Sequence, residues 1–286
     1  MSRAAHFRQV LKNLRRSRSA TIGFTILILH IFVALLASVI APYSPTDIDP
    51  LRSFQGPSFS HPFGSDQYGR DVLSRVIYGG RQALTFGISA AAIAVIIGGV
   101  VGLLMAYRGG FLDEIVLRVV DALLPIPGVL LLLVILTVFG SGRTVIVLAM
   151  ALNYLPGAVR ISRAAALDVT PREFVTAARA RGERALPIVL REIRPNVMDV
   201  LLVEFAMRAC WAILLISGLS FLGFGVNPPT PDWGLMIAEN RAAMSIAPWA
   251  TIFPIIALGS LVIAINLAAD GFAKAIGIDL TRGGIH

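Results

Sequence analysis

Residues 83–107 read ALTFGISAAAIAVIIGGVVGLLMAY, an apolar stretch without a charged side chain. A helix of about 20 such residues is long enough to cross the roughly 30 Å hydrocarbon core of a bilayer. Working outward along the chain, five more apolar runs of similar length are found. The six predicted spans are 22–41, 83–107, 115–139, 145–167, 197–222 and 250–269. The sequence therefore predicts an all-α, polytopic membrane protein with about six transmembrane helices.

The composition agrees with a membrane protein. Of the 286 residues, 56% are hydrophobic and 15% are charged, and the mean hydropathy is +0.77, outside the usual soluble range. The single cysteine and four scattered histidines exclude a disulfide scaffold, and they predict no metal site. The formal net charge of +8 favours contact with anionic membrane lipid over nucleic acid.

Basic residues predict the orientation. With both termini in the cytoplasm, 17 of the 25 lysines and arginines lie on the inner side and 6 on the outer side. The first apolar run is longer than the core of a signal peptide, so we interpret it as an uncleaved anchor. The predicted organisation is a basic cytoplasmic tail (1–21), a first transmembrane helix (22–41), an extracytoplasmic segment (42–82), a membrane core (83–270) with a cytoplasmic loop (168–196), and a cytoplasmic tail (271–286).

Two outer segments are too long to be simple turns. Residues 42–80 contain five prolines and are predicted to be mostly irregular. Residues 223–248 open with NPPTPDW and continue as a short amphipathic stretch. We expect Trp233 and Trp249 to lie at the level of the lipid headgroups, where tryptophan is enriched.

The inner loop carries a helix signal. Thr170-Pro171-Arg172-Glu173 has the pattern of a capping box and predicts a helix of about 11 residues that ends at Gly182 in a left-handed turn. A second short helix is predicted over 186–194, closed by Pro195. A small, alanine-faced helix outside the membrane fits a groove on a soluble partner. A basic loop that only sets topology and binds lipid phosphate explains the pattern equally well, so both interpretations stay open here.

Three motifs carry a resemblance to a known family. Thr176-Ala177-Ala178, Gly182 and the later IRPN at 193–196 resemble the EAA loop of ABC importer permeases. HPFGSDQYGRDVLSR at 61–75 and SFLGFGVNPPTPDWG at 220–234 are similar to the second permease of the dipeptide, oligopeptide and nickel importers. The likeness extends from the first span to Asp270-Gly271.

The resemblance implies a type I importer transmembrane domain in the cell inner membrane. Its implied partners are a homologous second permease, two ATP-binding subunits, an extracytoplasmic substrate-binding protein and membrane lipid, without nucleic acid. It implies peptides as substrate, with nickel, glutathione or another small solute as the alternative. The residues that it assigns to ATPase coupling are Phe174, Thr176, Ala177, Ala178, Arg181 and Gly182. Thr176 in place of the usual glutamate, Pro187 and Arg194 leave the coupling geometry open.

The residues themselves predict that ATP is hydrolysed elsewhere. A P-loop needs a Gly-Lys pair, yet Lys12 follows leucine and Lys274, the only other lysine, follows alanine. We therefore expect no catalytic site and no bound cofactor in this chain, with ATP and Mg²⁺ used by partner subunits.

Charges within the predicted spans are functional candidates because they are costly in lipid. Glu204 and Arg208 are spaced to pair on one helix face, and Arg118 and Asp121 are spaced to do the same. We interpret both as structural pairs, with contact to the cargo as the alternative. Prolines interrupt the third span at 125–128 and the fourth at 156–157, as hinges, cavity linings or packing kinks.

Two other classes of protein compete with a transporter subunit. A membrane-embedded enzyme needs convergent nucleophile, acid–base or metal groups, and the spans show no His/Asp metal ligands or Ser/Lys dyad. A standalone channel or scaffold does not require a capped cytoplasmic helix. Copurification with a P-loop ATPase separates these alternatives.

Overall fold

The long apolar runs form helices that pack side by side. The computed structural model describes residues 13–14 and 17–276, so the predictions for most of the basic tail and for the last ten residues lie outside it. The helices are α1 (Arg18–Leu35), α2 (Ala37–Ile40), α3 (Val72–Arg108), α4 (Gly110–Leu123), α5 (Gly128–Phe139), α6 (Arg143–Leu167), α7 (Glu173–Ala180), α8 (Ala185–Ile188), α9 (Arg194–Phe221), α10 (Trp233–Asn240) and α11 (Trp249–Ala275). Five elements suit a membrane span: α1, α3, α6, α11 and the continuous stretch Ala185–Phe221.

The third predicted span is not one straight helix. Residues 115–139 belong to α4 and α5, whose axes are bent by 87° at a break that contains Pro125 and Pro127. Each proline removes a backbone donor and disfavours helix in the residue before it. The 12 residues of α5 extend only about 18 Å, too short to cross a bilayer alone. The described chain thus has five spans, or six if the bent pair counts as one.

Small residues let the two central helices approach closely. A Cβ atom added at Gly102 of α3 would lie 2.4 Å from the carbonyl oxygen of Val159 in α6, and one at Gly98 would lie 2.8 Å from the Cβ of Ala158. Glycines spaced four residues apart are typical of close helix pairs in membranes, where association depends on packing. The α3–α6 pair therefore forms the centre of the bundle.

Polar segments gather at the two ends of this bundle. The cap end contains residues 41–71 and 222–248, including α10, whereas the loop end contains residues 168–193. Helix α3 begins at Val72 and not at the predicted residue 83, because Asp71 caps it by accepting a hydrogen bond from the Ser74 amide at 2.7 Å. The search for apolar runs did not include this first part of the helix, because Arg75 and Arg81 are charged.

Candidate functional site

The helix of the loop end starts later than the sequence pattern predicts. Helix α7 begins at Glu173, and Arg172 at its N-cap makes no side-chain capping bond. The hydroxyl of Thr170 instead donates to the carbonyl oxygen of Ala166 at 2.8 Å, in the last turn of α6. The predicted capping box is therefore wrong, because Thr170 bonds to the helix that precedes it. The helix has eight residues and not about 11.

The end of α7 has the predicted geometry. Gly182 has a φ of +77°, in the left-handed region that favours glycine. Its amide donates to Arg179 O at 2.9 Å, and the Glu183 amide donates to Ala178 O at 3.3 Å. These two bonds form a Schellman motif, which satisfies carbonyl groups that a helix end otherwise leaves unpaired. The predicted left-handed end is confirmed.

Only part of the predicted coupling face points outward. Val175 and Ala178 are fully buried in a cluster with Ile188 and Val189, and Phe174 packs against the same cluster. The prediction that Ala178 faces a partner is therefore wrong, since this alanine secures α7 to its own protein. The outward residues of the predicted set are Thr176, Ala177, Arg181 and Gly182, and Ala180 lies beside them.

Arginine contacts fix the position of the loop helix. The Arg179 guanidinium lies 4.4 Å from the centre of the Tyr107 ring and donates to the Tyr107 carbonyl oxygen at 3.2 Å. Because Tyr107 lies in the last turn of α3, this contact ties α7 to the central helix pair. Arg181 donates to Glu183 Oε1 through Nε and Nη2, at 2.9 and 2.6 Å, and stays largely exposed.

The second helix of the loop does not stop at Pro195. After α8, a π turn over Val189–Ile193 leads directly into α9. Pro195 thereby lies in the first turn of α9, where its ring and its missing N–H are tolerated. The loop is consequently continuous with a membrane span.

One of the two predicted pairs within the spans forms. Arg208 Nε donates to Glu204 Oε1 at 2.6 Å, and 7% of the Glu204 side chain is exposed. The Arg208 guanidinium occupies the space above Gly157, next to the proline of α6. The predicted pair is confirmed, and it contacts α6 beside Pro156. The predicted interruption at 156–157 is wrong, because α6 continues as one helix through this proline.

The other predicted pair is wrong. Arg118 pairs with Glu114 one turn earlier in α4, and Asp121 accepts a hydrogen bond from Arg160 Nη2 at 2.7 Å. Both pairs are more than half exposed. Asp121 of α4 thus meets α6 and not Arg118, which spacing within one helix does not reveal.

Comparison with known proteins agrees with this geometry. Residues 98–280 match the family model of the binding-protein-dependent transport system inner membrane component, and residues 6–57 match that of the N-terminal TM domain of oligopeptide transport permease C. This chain belongs to the ABC importer permeases of the peptide, oligopeptide and nickel family. Its fold is the membrane domain of a type I ABC importer.

Named relatives of this permease have a common description. The glutathione transport system permease protein GsiD of Shigella dysenteriae serotype 1 is 38% identical over 268 residues, covering 93% of this chain and 88% of the relative. The proteins of the same name from Escherichia coli O6:K15:H31 and Shigella boydii serotype 4 have the same identity and coverage. The permease is therefore similar along nearly its full length to membrane components of known transport systems.

Sequence reasoning missed one ion pair in the permease. Arg163 donates through Nε and Nη2 to the two carboxylate oxygens of Asp113, both at 2.6 Å, and so connects α6 to α4. Such two-point contacts are strong and directional. A signal was present, because Arg163 is a charge within a predicted span, but its partner lies 50 residues away.

A buried charge network at the cap end was also missed. Arg70 donates to Asp66 Oδ2 and to Glu239 Oε2, both at 2.6 Å. Arg75, which is fully buried, lies 3.4 Å from the same Glu239 oxygen and 3.5 Å from Asp66 Oδ2. The network holds the segment before α3 against α10. Asp66, Arg70 and Arg75 lie within the motif at 61–75, whereas Glu239 lies in α10, beyond the motif at 220–234.

Of the two tryptophans of the cap end, Trp233 is too deeply buried to be a headgroup anchor, and the expectation for Trp249 stays a prediction. Trp233 is 2% exposed, packs on Gly79 and Gly80, and donates from Nε1 to Val76 O at 2.9 Å. Trp249 donates from Nε1 to Ser65 O at 3.0 Å. Both indoles thus join the outer segments to the helices, because each found a backbone acceptor within the protein.

Proposed function

We propose that this permease forms half of the translocation pathway of an ATP-driven, binding-protein-dependent importer, and that its loop end receives the force of ATP hydrolysis from a separate subunit. The observation that carries the proposal is helix α7 with its outward face at Thr176, Ala177 and Arg181. Its opposite face is buried at Val175 and Ala178, so a push on the outward face moves the protein core. The small alanines permit close approach by a partner.

In the proposed importer, partner subunits bind ATP and Mg²⁺ and hydrolyse the ATP. The sequence has no Gly-Lys pair for a P-loop, so this chain is expected to bind neither. The expected assembly contains a homologous second permease, two ATP-binding subunits and an extracytoplasmic substrate-binding protein in the inner membrane. Exposed apolar side chains along α5, including Val134, Val138 and Phe139, leave surface for membrane lipid or the second permease.

Peptides are the proposed substrate class. The match of residues 6–57 to a domain of oligopeptide transport permeases supports this class. A second candidate is glutathione, which is itself a tripeptide, and the names of the 38% identical relatives favour it. Nickel and other small solutes remain alternatives of the same architecture. Uptake of labelled di-, tri- and oligopeptides, glutathione and nickel, each with the binding protein present, ranks these candidates.

The loop end is proposed to face the cytoplasm together with both termini, because the basic residues concentrate there. A cysteine at Ser58 of the cap end is expected to react with an impermeant thiol reagent added outside intact cells. A cysteine at Ala180 is expected to react only after the cells are opened. The reverse pattern would overturn the orientation and the coupling role with it.

The decisive experiment purifies the permease from its native membrane through an affinity tag. We expect a P-loop ATPase and a second permease to copurify. Reconstituted vesicles should take up peptide only when ATP and the binding protein are both present. Passive flux through the isolated chain would instead favour a channel, and a stable chain without partners would favour a scaffold.

A further inference from the structure

A cavity of about 340 Å³ opens at the cap end between α3, the start of α6 and the proline-rich stretch at 228–231. This volume lies in the range of small-molecule sites, roughly 300 to 1,000 Å³. Its polar lining comes from four separate parts of the chain. These residues are Thr46, Tyr78, Arg81, Gln82, Arg143 and Thr230.

The cavity is positively charged. Arg81 and Arg143 line it, whereas no aspartate or glutamate does. Within residues 17–276 neither arginine takes part in an ion pair, and the guanidinium of Arg143 only approaches the Phe86 ring, at 5.8 Å. Arg143 is also the first residue of α6, whose N-cap Gly142 offers no side-chain acceptor. The positive end of a 25-residue helix therefore adds to the two charges.

Hydrogen bonds from the buried Arg75 hold two of the segments that line the cavity. Arg75 Nη1 lies 3.1 Å from Pro45 O and 3.5 Å from Pro229 O, and it donates towards both carbonyl groups. These carbonyls directly precede Thr46 and Thr230, which line the cavity. The acidic partners of the cap network are occupied by Arg70 and Arg75, so they do not neutralise the cavity.

We propose that this cavity receives the carboxylate end of the imported solute, with Arg81 and Arg143 as the binding arginines. The inference rests on the proposed function and identifies a first binding site for the solute on the translocation pathway. Paired guanidinium groups recognise carboxylates with strong, directional hydrogen bonds. The Tyr78 hydroxyl and the Gln82 amide are further donors in the lining. The concave shape fits a small solute better than the surface of a docked protein.

The first test measures the charge preference of the cavity without transport. Thr230→Cys in the assembled complex is labelled with an anionic and with a cationic thiol reagent of equal size, and labelling is read on this chain, whose only native thiol is the buried Cys210. We expect Arg81→Gln and Arg143→Gln each to lower the ratio of anionic to cationic labelling about tenfold. Arg241→Gln, on the same end but outside the cavity, is the matched control. An unchanged ratio, or a cysteine that does not react, overturns the proposal.

The second test compares a dipeptide with its C-terminal amide, in a pair chosen so that the binding protein holds both. In ATP-driven vesicles, the double variant of Arg81→Gln and Arg143→Gln should reduce uptake of the acid about tenfold or more, and uptake of the amide about twofold or less. Equal losses of uptake for both peptides would indicate that the two arginines have a structural role, and would overturn the proposed binding site. Weaker docking of the binding protein, measured by its Kd for the complex, would make the cavity a protein contact instead. If the native complex takes up neither peptide, the proposed peptide substrate class fails, while the labelling ratio still decides whether the cavity selects anions.

Discussion

The two ends of this permease handle charge in opposite ways. At the cap end, Arg70 and Arg75 are buried and their acidic partners belong to the same chain. At the loop end, Arg181 is 58% exposed, and its partner Glu183 is only two residues away. Buried pairs require well-placed partners because desolvation is expensive, whereas exposed pairs contribute little to stability. The buried charge network of the cap end is thus completed within the chain, while the loop end keeps charge and small side chains on its surface.

This contrast supports the roles that we propose for the two ends. A buried network whose charges pair within the chain keeps one shape, which suits a wall around a solute pathway. A surface with exposed arginines and alanines suits a partner that binds and releases. The loop helix nevertheless has a rigid base, because Val175 and Ala178 are fully buried. The same short helix therefore combines an exposed outward face, which we propose for docking, with an inward anchor.

The largest expected effect is at the cap network. Arg75→Met leaves Asp66 and Glu239 with less compensation in a buried site, so we expect a loss of about 3 to 5 kcal/mol in the free energy of unfolding. The measurement is thermal unfolding of the purified complex in detergent, with Arg241→Met as a control. A loss no larger than that of the control would contradict the view that the cap end is completed by buried charge.

The pair between the two ends is expected to have the next largest effect. Glu204→Ala and Arg208→Ala each leave a charge unpaired within a span, at a cost of about 2 to 3 kcal/mol, lower than at the cap because 23% of the Arg208 side chain is exposed. The double variant should recover much of the yield, since both charges are gone. Complex yield for the two single variants and the double variant measures the coupling. Additive losses would refute a structural pair.

Two glycines in equivalent helix-end positions allow the functional roles of the two ends to be compared. Gly182 of the loop end and Gly223 of the cap end both have positive φ, close a helix with the same pair of hydrogen bonds, and leave space for a side chain. Leucine at either position should cost on the order of 1 to 2 kcal/mol. Only Gly182→Leu is expected to abolish substrate-stimulated ATP hydrolysis in the assembled importer. Equal effects of the two variants on hydrolysis would remove the coupling role of the loop.

The smallest expected effect concerns helix capping. Asp232 caps α10 by accepting from the Leu235 amide at 3.0 Å, whereas Arg172 gives α7 no side-chain cap. Burial raises the pKa of the Asp232 carboxyl above its ordinary value. We therefore expect Asp232→Asn to change the unfolding free energy by less than about 0.5 kcal/mol and Asp232→Ala to lower it by about 1 kcal/mol. Arg172→Ala should have no measurable effect on thermal unfolding. A measurable loss of stability in the Arg172→Ala variant would indicate that Arg172 caps α7, contrary to the hydrogen bonds in the structure.

Several features could be predicted because they depend on neighbouring residues only. The spans follow from apolar runs, the end of α7 follows from Gly182, and the Glu204–Arg208 pair follows from spacing on one helix. Two errors occurred where a distant partner decided, since Ala178 turned to the core and Asp121 met Arg160. At Thr170 two local partners competed, and the hydroxyl bonded to Ala166 at the end of α6 instead of capping α7. Local pattern cannot rank such competing partners, because their energies depend on packing.

The sequence by itself determined a helical membrane protein of the ABC importer permease family, because hydropathy and ordered motifs are properties of the linear chain. Only the tertiary structure decided which charges meet. Arg75 and Glu239 are 164 residues apart, and their contact requires the fold to bring α3 and α10 together. The outward face of α7 and the cap-end cavity depend on the same fact. A charged side chain is stable in the interior only where the folded chain places a partner beside it, because burying an unpaired charge is costly.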